Sequence, residues 1–92
     1  MQIRWLPSAA EDLEGIHEYL SSNHPNYAAR TIRAIYEAVQ GLRRFPYRGR
    51  PTSEPGVRVM QLPRSPYLIF YRLHEGAIEV LYIRHGAQDN PL

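Results

Sequence analysis

All eleven basic side chains in this 92-residue sequence are arginine, and six of them crowd one stretch. Arg43, Arg44, Arg48, Arg50, Arg58 and Arg64 are set against a single acid, Glu54, across residues 43–64. A guanidinium is a planar fork that matches phosphate and carboxylate oxygens two at a time. Arg48, Arg50 and Arg72 are therefore candidates to bind a nucleic acid or an acidic protein target. The same run also reads as a solvated loop in an arginine-biased chain. A second constellation closes the last apolar run, where His85 follows Arg84. Imidazole titrates near neutrality and can move a proton. A group that moves a proton beside cations that hold an anion suits acid–base chemistry on a phosphate or carboxylate, and His85 with Arg84, Arg58 and Arg64 is the candidate set.

Each candidate has a purely structural alternative. Strand alternation puts Arg84 and His85 on opposite faces unless the strand has ended, so they need not act together. His85 then closes the strand, and Arg84 lies on the surface. Tyr67, Tyr71 and Tyr82 could stack on bases, but tyrosine at such positions also serves as core with its hydroxyl bonded. His17, His24 and His74 show no ligand spacing with a carboxylate or with each other, and cysteine is absent. No metal and no cofactor is expected.

The elements that position these residues follow from periodicity. Ile3 and Trp5 alternate with Arg4, a short strand over Gln2–Leu6 closed by Pro7. Ser8 and Glu11 have capping-box spacing, and Asp12 and Glu14 follow near the first turn. Leu13, Ile16 and Leu20 predict a helix over about Ser8–Ser22. Asn23-His24-Pro25-Asn26 breaks it. Ala28, Ile32, Ile35, Val39 and Leu42 step by 4, 3, 4 and 3, a second amphipathic helix. Arg43 and Arg44 fall in its last turn, and Pro46 ends it near Phe45. Residues 45–56 read as a Pro- and Gly-rich loop. Val57–Leu62 has β propensity, and Pro63-Arg64-Ser65-Pro66 turns the chain. Tyr67–Leu73 is apolar on both faces, as in a central strand covered on both sides. His74-Glu75-Gly76 is a hairpin turn. In the last strand Ile78, Val80, Tyr82 and Arg84 alternate with Glu79, Leu81, Ile83 and His85. The order is β-α-α-β-β-β. The fold class is α+β: an antiparallel sheet covered on one face by a two-helix hairpin, with the first strand at an edge or beside the last.

Size and composition bound the rest. Residues 1–92 make one domain. The hydrophobic share, 43%, suits a folded chain, so disorder is not expected. Net charge is only +2, because nine acids offset the eleven arginines; four of them, Glu11, Asp12, Glu14 and Glu18, fall in one stretch without arginine. No apolar run approaches the roughly 20 residues that span a bilayer, and the N-terminus does not read as a signal peptide. A cytoplasmic protein without a membrane partner is expected.

The ordered pieces resemble the RelE/ParE toxin superfamily of type II toxin–antitoxin systems. They are Ala9-Ala10-Glu11-Asp12-Leu13 with Ile16 and Tyr19-Leu20; Leu42 with Phe45-Pro46-Tyr47-Arg48-Gly49-Arg50; Arg58 with Met60-Gln61; Tyr67-Leu68-Ile69-Phe70-Tyr71; and Ile78 through Asp89. Together they span nearly the whole chain. The resemblance implies a small toxin held inactive by a cognate antitoxin in a hetero-oligomer. RelE-like members are ribosome-dependent mRNA endoribonucleases, whereas ParE-like members poison DNA gyrase. At the positions where the nuclease branch carries arginine, this sequence has Leu68 and Gln88. YoeB-like members end in an aromatic pair, where this chain ends Asn90-Pro91-Leu92. These departures place the expected activity nearer ParE, with gyrase as target and no standard RelE-type nuclease site. The alternatives are a nuclease built on His85 with Arg58, Arg64 or Arg84, and a degenerate toxin or plain binding module.

Overall fold

The protein is described from a computed structural model, over residues 1–86. Seven elements follow in order: β1 (Gln2–Trp5), α1 (Pro7–Asn23), α2 (Pro25–Gly41), β2 (Arg50–Pro51), β3 (Val57–Gln61), β4 (Tyr67–His74) and β5 (Ala77–His85). They form one five-stranded sheet in the order β1-β5-β4-β3-β2, with the helix hairpin on one face. The α+β class holds, and β1 lies both at an edge and beside the last strand. The antiparallel description applies to β2–β5. β1 runs parallel to β5, pairing Gln2 with Ala77 through Trp5 with Val80, so the sheet is mixed. The helix hairpin carries the chain back across the sheet before β2, which leaves β1 pointing the same way as the final strand.

One strand was not expected. β2 lies inside the Pro- and Gly-rich loop and pairs Arg50 with Val59 and Pro51 with Arg58. Two residues carry no readable alternation. Pro51 is tolerated because β2 is an outer strand.

The helix ends also differ from expectation. Pro7 is already the first helical residue of α1, and extended Leu6 is the cap, with no side-chain cap bond. The Ser8–Glu11 capping box is not made. The Ser8 hydroxyl instead donates to the Leu81 carbonyl. No acid lies in the first turn of α1. His24 alone separates the helices, donating its N–H to the Leu20 carbonyl at 2.7 Å while Pro25 opens α2. α2 stops at Gly41, so Arg43 and Arg44 are not in its last turn. They sit in a tighter turn whose N–H groups bond three residues back, Leu42 to Val39, Arg43 to Gln40 and Arg44 to Gly41.

The main core lies between hairpin and sheet. Ile35, Val39 and Leu42 meet Ile69, Tyr71, Ile78 and Val80, all fully buried. Burying an aliphatic side chain of this size contributes about 1.5–3 kcal/mol. Ala9 is also fully buried, where a small residue lets α1 approach the sheet. A second cluster, Val57, Val59, Leu68, Phe70 and Leu81, fills the opposite face. β4 is thus the central strand with both faces buried, as its sequence predicts.

The simple alternation of β5 fails at one place. Phe70 pairs with Tyr82 and Tyr71 with Val80, so Leu81 is an extra residue opposite the Phe70/Tyr71 step. This bulge puts Leu81 and Tyr82 together on the second cluster, while Val80 and Ile83 face the helices.

Candidate functional site

A cleft of about 630 Å³ opens between the helix hairpin and the far end of the β4–β5 ladder. Asp12, Tyr19 and Tyr27 line it from the helices, and His24 from the junction between them. Arg64, Tyr67, Arg84 and His85 line it from the sheet side. Three of the four candidate catalytic residues therefore meet here. Arg84 and His85 share the cleft despite strand alternation, because they stand at the very end of β5.

Local bonds fix each of them. The His85 ring meets the Tyr67 ring edge-on, with centroids 5.6 Å apart. The Arg84 guanidinium lies 4.3 Å from the centroid of the Tyr82 ring, which stacks on Phe70 at 4.7 Å. Its Nη1 donates to Asp12 Oδ2 and to the Ile83 carbonyl, both at 3.2 Å. Arg64 is exposed in the turn between β3 and β4, with φ of 57°. Burial first, and then the Tyr19 hydroxyl, push Tyr67 above the ordinary phenol pKa. Tyr67 therefore stays protonated at neutral pH and is a poor base.

Asp12, which the sequence places near the first turn of a helix, has a tertiary role. β1 leaves β5 after Val80, and α1 covers the edge beyond. Leu6 N–H donates to the Val80 carbonyl at 3.1 Å, Ser8 to the Leu81 carbonyl, and Ile83 N–H to Asp12 Oδ2 at 2.9 Å. The first turns of α1 thus satisfy backbone groups that an extra strand would otherwise take. The signal for this wall of the cleft was present in the sequence. Asp12, Gly15, Ile16 and Tyr19 have i, i+3, i+4, i+7 spacing and so share one helix face.

The other candidates lie elsewhere. Arg58 reaches from β3 to the loop after α2, donating to the Gly49 carbonyl at 2.6 Å and the Tyr47 carbonyl at 3.4 Å. Its guanidinium also sits 4.9 Å from the centroid of the Tyr47 ring. Arg72 donates to Glu79 Oε1 at 2.7 Å, with Arg4 3.8 Å from Oε2 of the same carboxylate. The Arg72 bond is the main cause holding the Glu79 carboxyl below its usual range. Arg72 is five residues along β4 from Tyr67, roughly 17 Å at about 3.3 Å per residue. Arg48 and Arg50 are exposed. Leu68 is buried directly across from Arg84. Gln88 and the rest of the tail, including Asp89, lie outside the described residues. Among the described residues no three His, Asp or Glu side chains are grouped to hold a metal. Among the described residues no helix is long and apolar enough to cross a membrane.

Chemically the cleft is weakly furnished for phosphodiester cleavage. Its imidazole, His85, is the candidate for proton transfer. Its cation Arg84 is already neutralised by Asp12, and that carboxylate also repels an incoming phosphate. Arg64 is the cleft cation with no ion pair among the described residues.

Known proteins resemble this chain in sequence and in fold. The chain is 34% identical over 90 residues to Y4kP of Sinorhizobium fredii, whose name marks it provisionally as a toxin, covering 98% of this chain and 93% of that protein. It is 30% identical over 87 residues to Toxin RelE2 of Caulobacter vibrioides, covering 95% and 97%. A solved chain of the chromosomal ParDE toxin–antitoxin system from P. aeruginosa superposes with a TM-score of 0.83 at 31% identity, over 92% of this chain and 95% of that one. Residues 3–90 match the family model for the ParE toxin of the type II toxin–antitoxin system parDE, and the chain belongs to that family of toxins.

Proposed function

We propose that this toxin inhibits growth in the ParE manner, by binding DNA gyrase, and that a cognate antitoxin holds it inactive in a hetero-oligomer. One observation carries the choice of target. The Arg84 guanidinium is occupied by Asp12 and by the Tyr82 ring, with Leu68 rather than a second cation across the ladder. The likeness to a ParDE chain supports the antitoxin as partner. Arg48, Arg50 and Arg72 are the proposed target-binding residues. Of these, Arg72 is engaged by Glu79 and Arg48 and Arg50 are exposed.

A second reading has its own support. His85, Arg64 and Tyr67 share one cleft, and a relative bears a RelE name. That reading is a ribosome-dependent mRNA endoribonuclease in which His85 moves the proton. Arg58, bonded to loop carbonyls, would have no direct part in it.

Expression with primer extension on cellular mRNA, alongside a gyrase supercoiling and cleavage assay, separates the two. Double-strand DNA breaks with intact mRNA are expected. Codon-specific cuts that vanish on His85→Ala would sink the gyrase reading. A chain that leaves growth unaffected would be a degenerate toxin or a plain binding module.

A further inference from the structure

The loop after α2 combines features that the cleft does not use. Phe45 is 60% exposed and Tyr47 67% exposed, the two most exposed large apolar side chains described. With Arg44, Pro46 and Arg48 they form an open groove on the surface. Residues 38–53 hold four arginines, Arg43, Arg44, Arg48 and Arg50, and no acid. None of the four is in an ion pair among the described residues.

The loop is also held in place. The Tyr71 hydroxyl donates to the Pro46 carbonyl and accepts the Gly49 N–H, both at 2.8 Å. Arg58 donates to the Gly49 and Tyr47 carbonyls and covers one face of the Tyr47 ring. Two residues of the sheet thus fasten a loop whose apolar side chains point at water. Exposed aromatics on a pre-ordered backbone, ringed by arginine, have the composition of an interface hot spot, because little ordering entropy remains to be lost on binding.

We infer that residues 43–50 are the docking surface for the growth target, and that the partner is a protein surface whose apolar socket takes Phe45 and Tyr47 within a rim of carboxylates. This rests on the reading that the toxin acts by binding a protein. Charge selects an acidic partner. A protein is favoured over single-stranded nucleic acid on two grounds. The Arg58 guanidinium already covers one face of the Tyr47 ring, 4.9 Å from its centroid, which takes up surface on which a base would stack. The acids Glu11, Glu14 and Glu18 on exposed positions of α1 would also repel a long polyanion.

The test uses two variants, Phe45→Ala/Tyr47→Ala and Arg44→Ala/Arg48→Ala. Growth inhibition, inhibition of purified gyrase, thermal stability and antitoxin affinity are measured for each. Both variants are expected to melt with the wild type, to keep antitoxin affinity within about threefold, and to need at least about tenfold more protein for the same growth inhibition, as for loss of a hot spot. Folded variants with undiminished growth inhibition would overturn the surface. So would loss of antitoxin binding with growth inhibition intact. Loss of affinity for a short single-stranded RNA oligonucleotide in parallel with growth inhibition would overturn the protein partner. A wild-type toxin that leaves gyrase untouched, while both variants lose growth inhibition, would sink the gyrase reading and leave the surface standing.

Discussion

The Tyr71 hydroxyl and the Gly49 N–H are joined at 2.8 Å across 22 residues of sequence, at the point where the arginine loop meets the sheet. There is no room for a side chain at Gly49. A Cβ there would lie 2.7 Å from Tyr71 Cε1 and 2.9 Å from the Val59 carbonyl oxygen. Tyr71→Phe removes the acceptor and leaves the buried N–H unpaired, at an expected cost of about 1–3 kcal/mol. Gly49→Ala forces ring or backbone to move, with an expected cost of about 1–3 kcal/mol. Urea denaturation measures both. Both changes should also weaken growth inhibition, because they release the loop that carries Phe45 and Tyr47.

Asp12 should matter more for its backbone bond than for its ion pair. Asp12→Ala strands the Ile83 N–H at the β5 edge and is expected to cost about 1–3 kcal/mol. Asp12→Asn keeps an acceptor and loses the Arg84 pair. That pair is partly exposed, with side chains 40% and 30% accessible, and contributes at most about 1 kcal/mol. Chemical denaturation of the two variants should therefore separate clearly.

Acid should destabilise the protein through Glu79. Its folded pKa is lowered, first by the hydrogen bond from Arg72, so the folded state binds the proton less readily than the unfolded chain. The resulting stability is fully present above the ordinary glutamate pKa. It is lost as pH falls through the lower folded value. Melting temperature followed from neutral pH downward should decline across that acid window. In Glu79→Gln this part of the decline should disappear, against a lower plateau at neutral pH.

The cleft residues give a test in cells. If the toxin acts on gyrase, His85→Ala and Arg64→Ala should retain growth inhibition to within about twofold, since neither would be needed for proton or phosphate chemistry. A loss of one hundredfold or more on His85→Ala is the size expected for removal of a general acid or base, and would point to the nuclease instead. Growth curves under graded induction measure this directly.

Much of the architecture was legible because it rests on local periodicity. The stripe Ala28, Ile32, Ile35, Val39 and Leu42 predicted α2. The doubly apolar Tyr67–Tyr71 run predicted a central strand, and both faces of that run are buried. The two-residue β2 and the Leu81 bulge were not legible. A two-residue strand has no period, and a bulge is a property of the pairing rather than of either strand.

By itself the sequence determined the α+β class, the helix hairpin, the central strand and the likeness to a toxin family, because apolar spacing and ordered motifs survive in one dimension. Only the tertiary structure decided which arginines remain available. Arg58 is bonded to carbonyls nine and eleven residues back, Arg72 is held by Glu79 across a ladder, and Arg84 by Asp12 from 72 residues away. Arg44, Arg48 and Arg50 are left exposed on a fastened loop. A charge in a sequence has a sign, but what neutralises it is set by partners that only folding brings within a few ångströms.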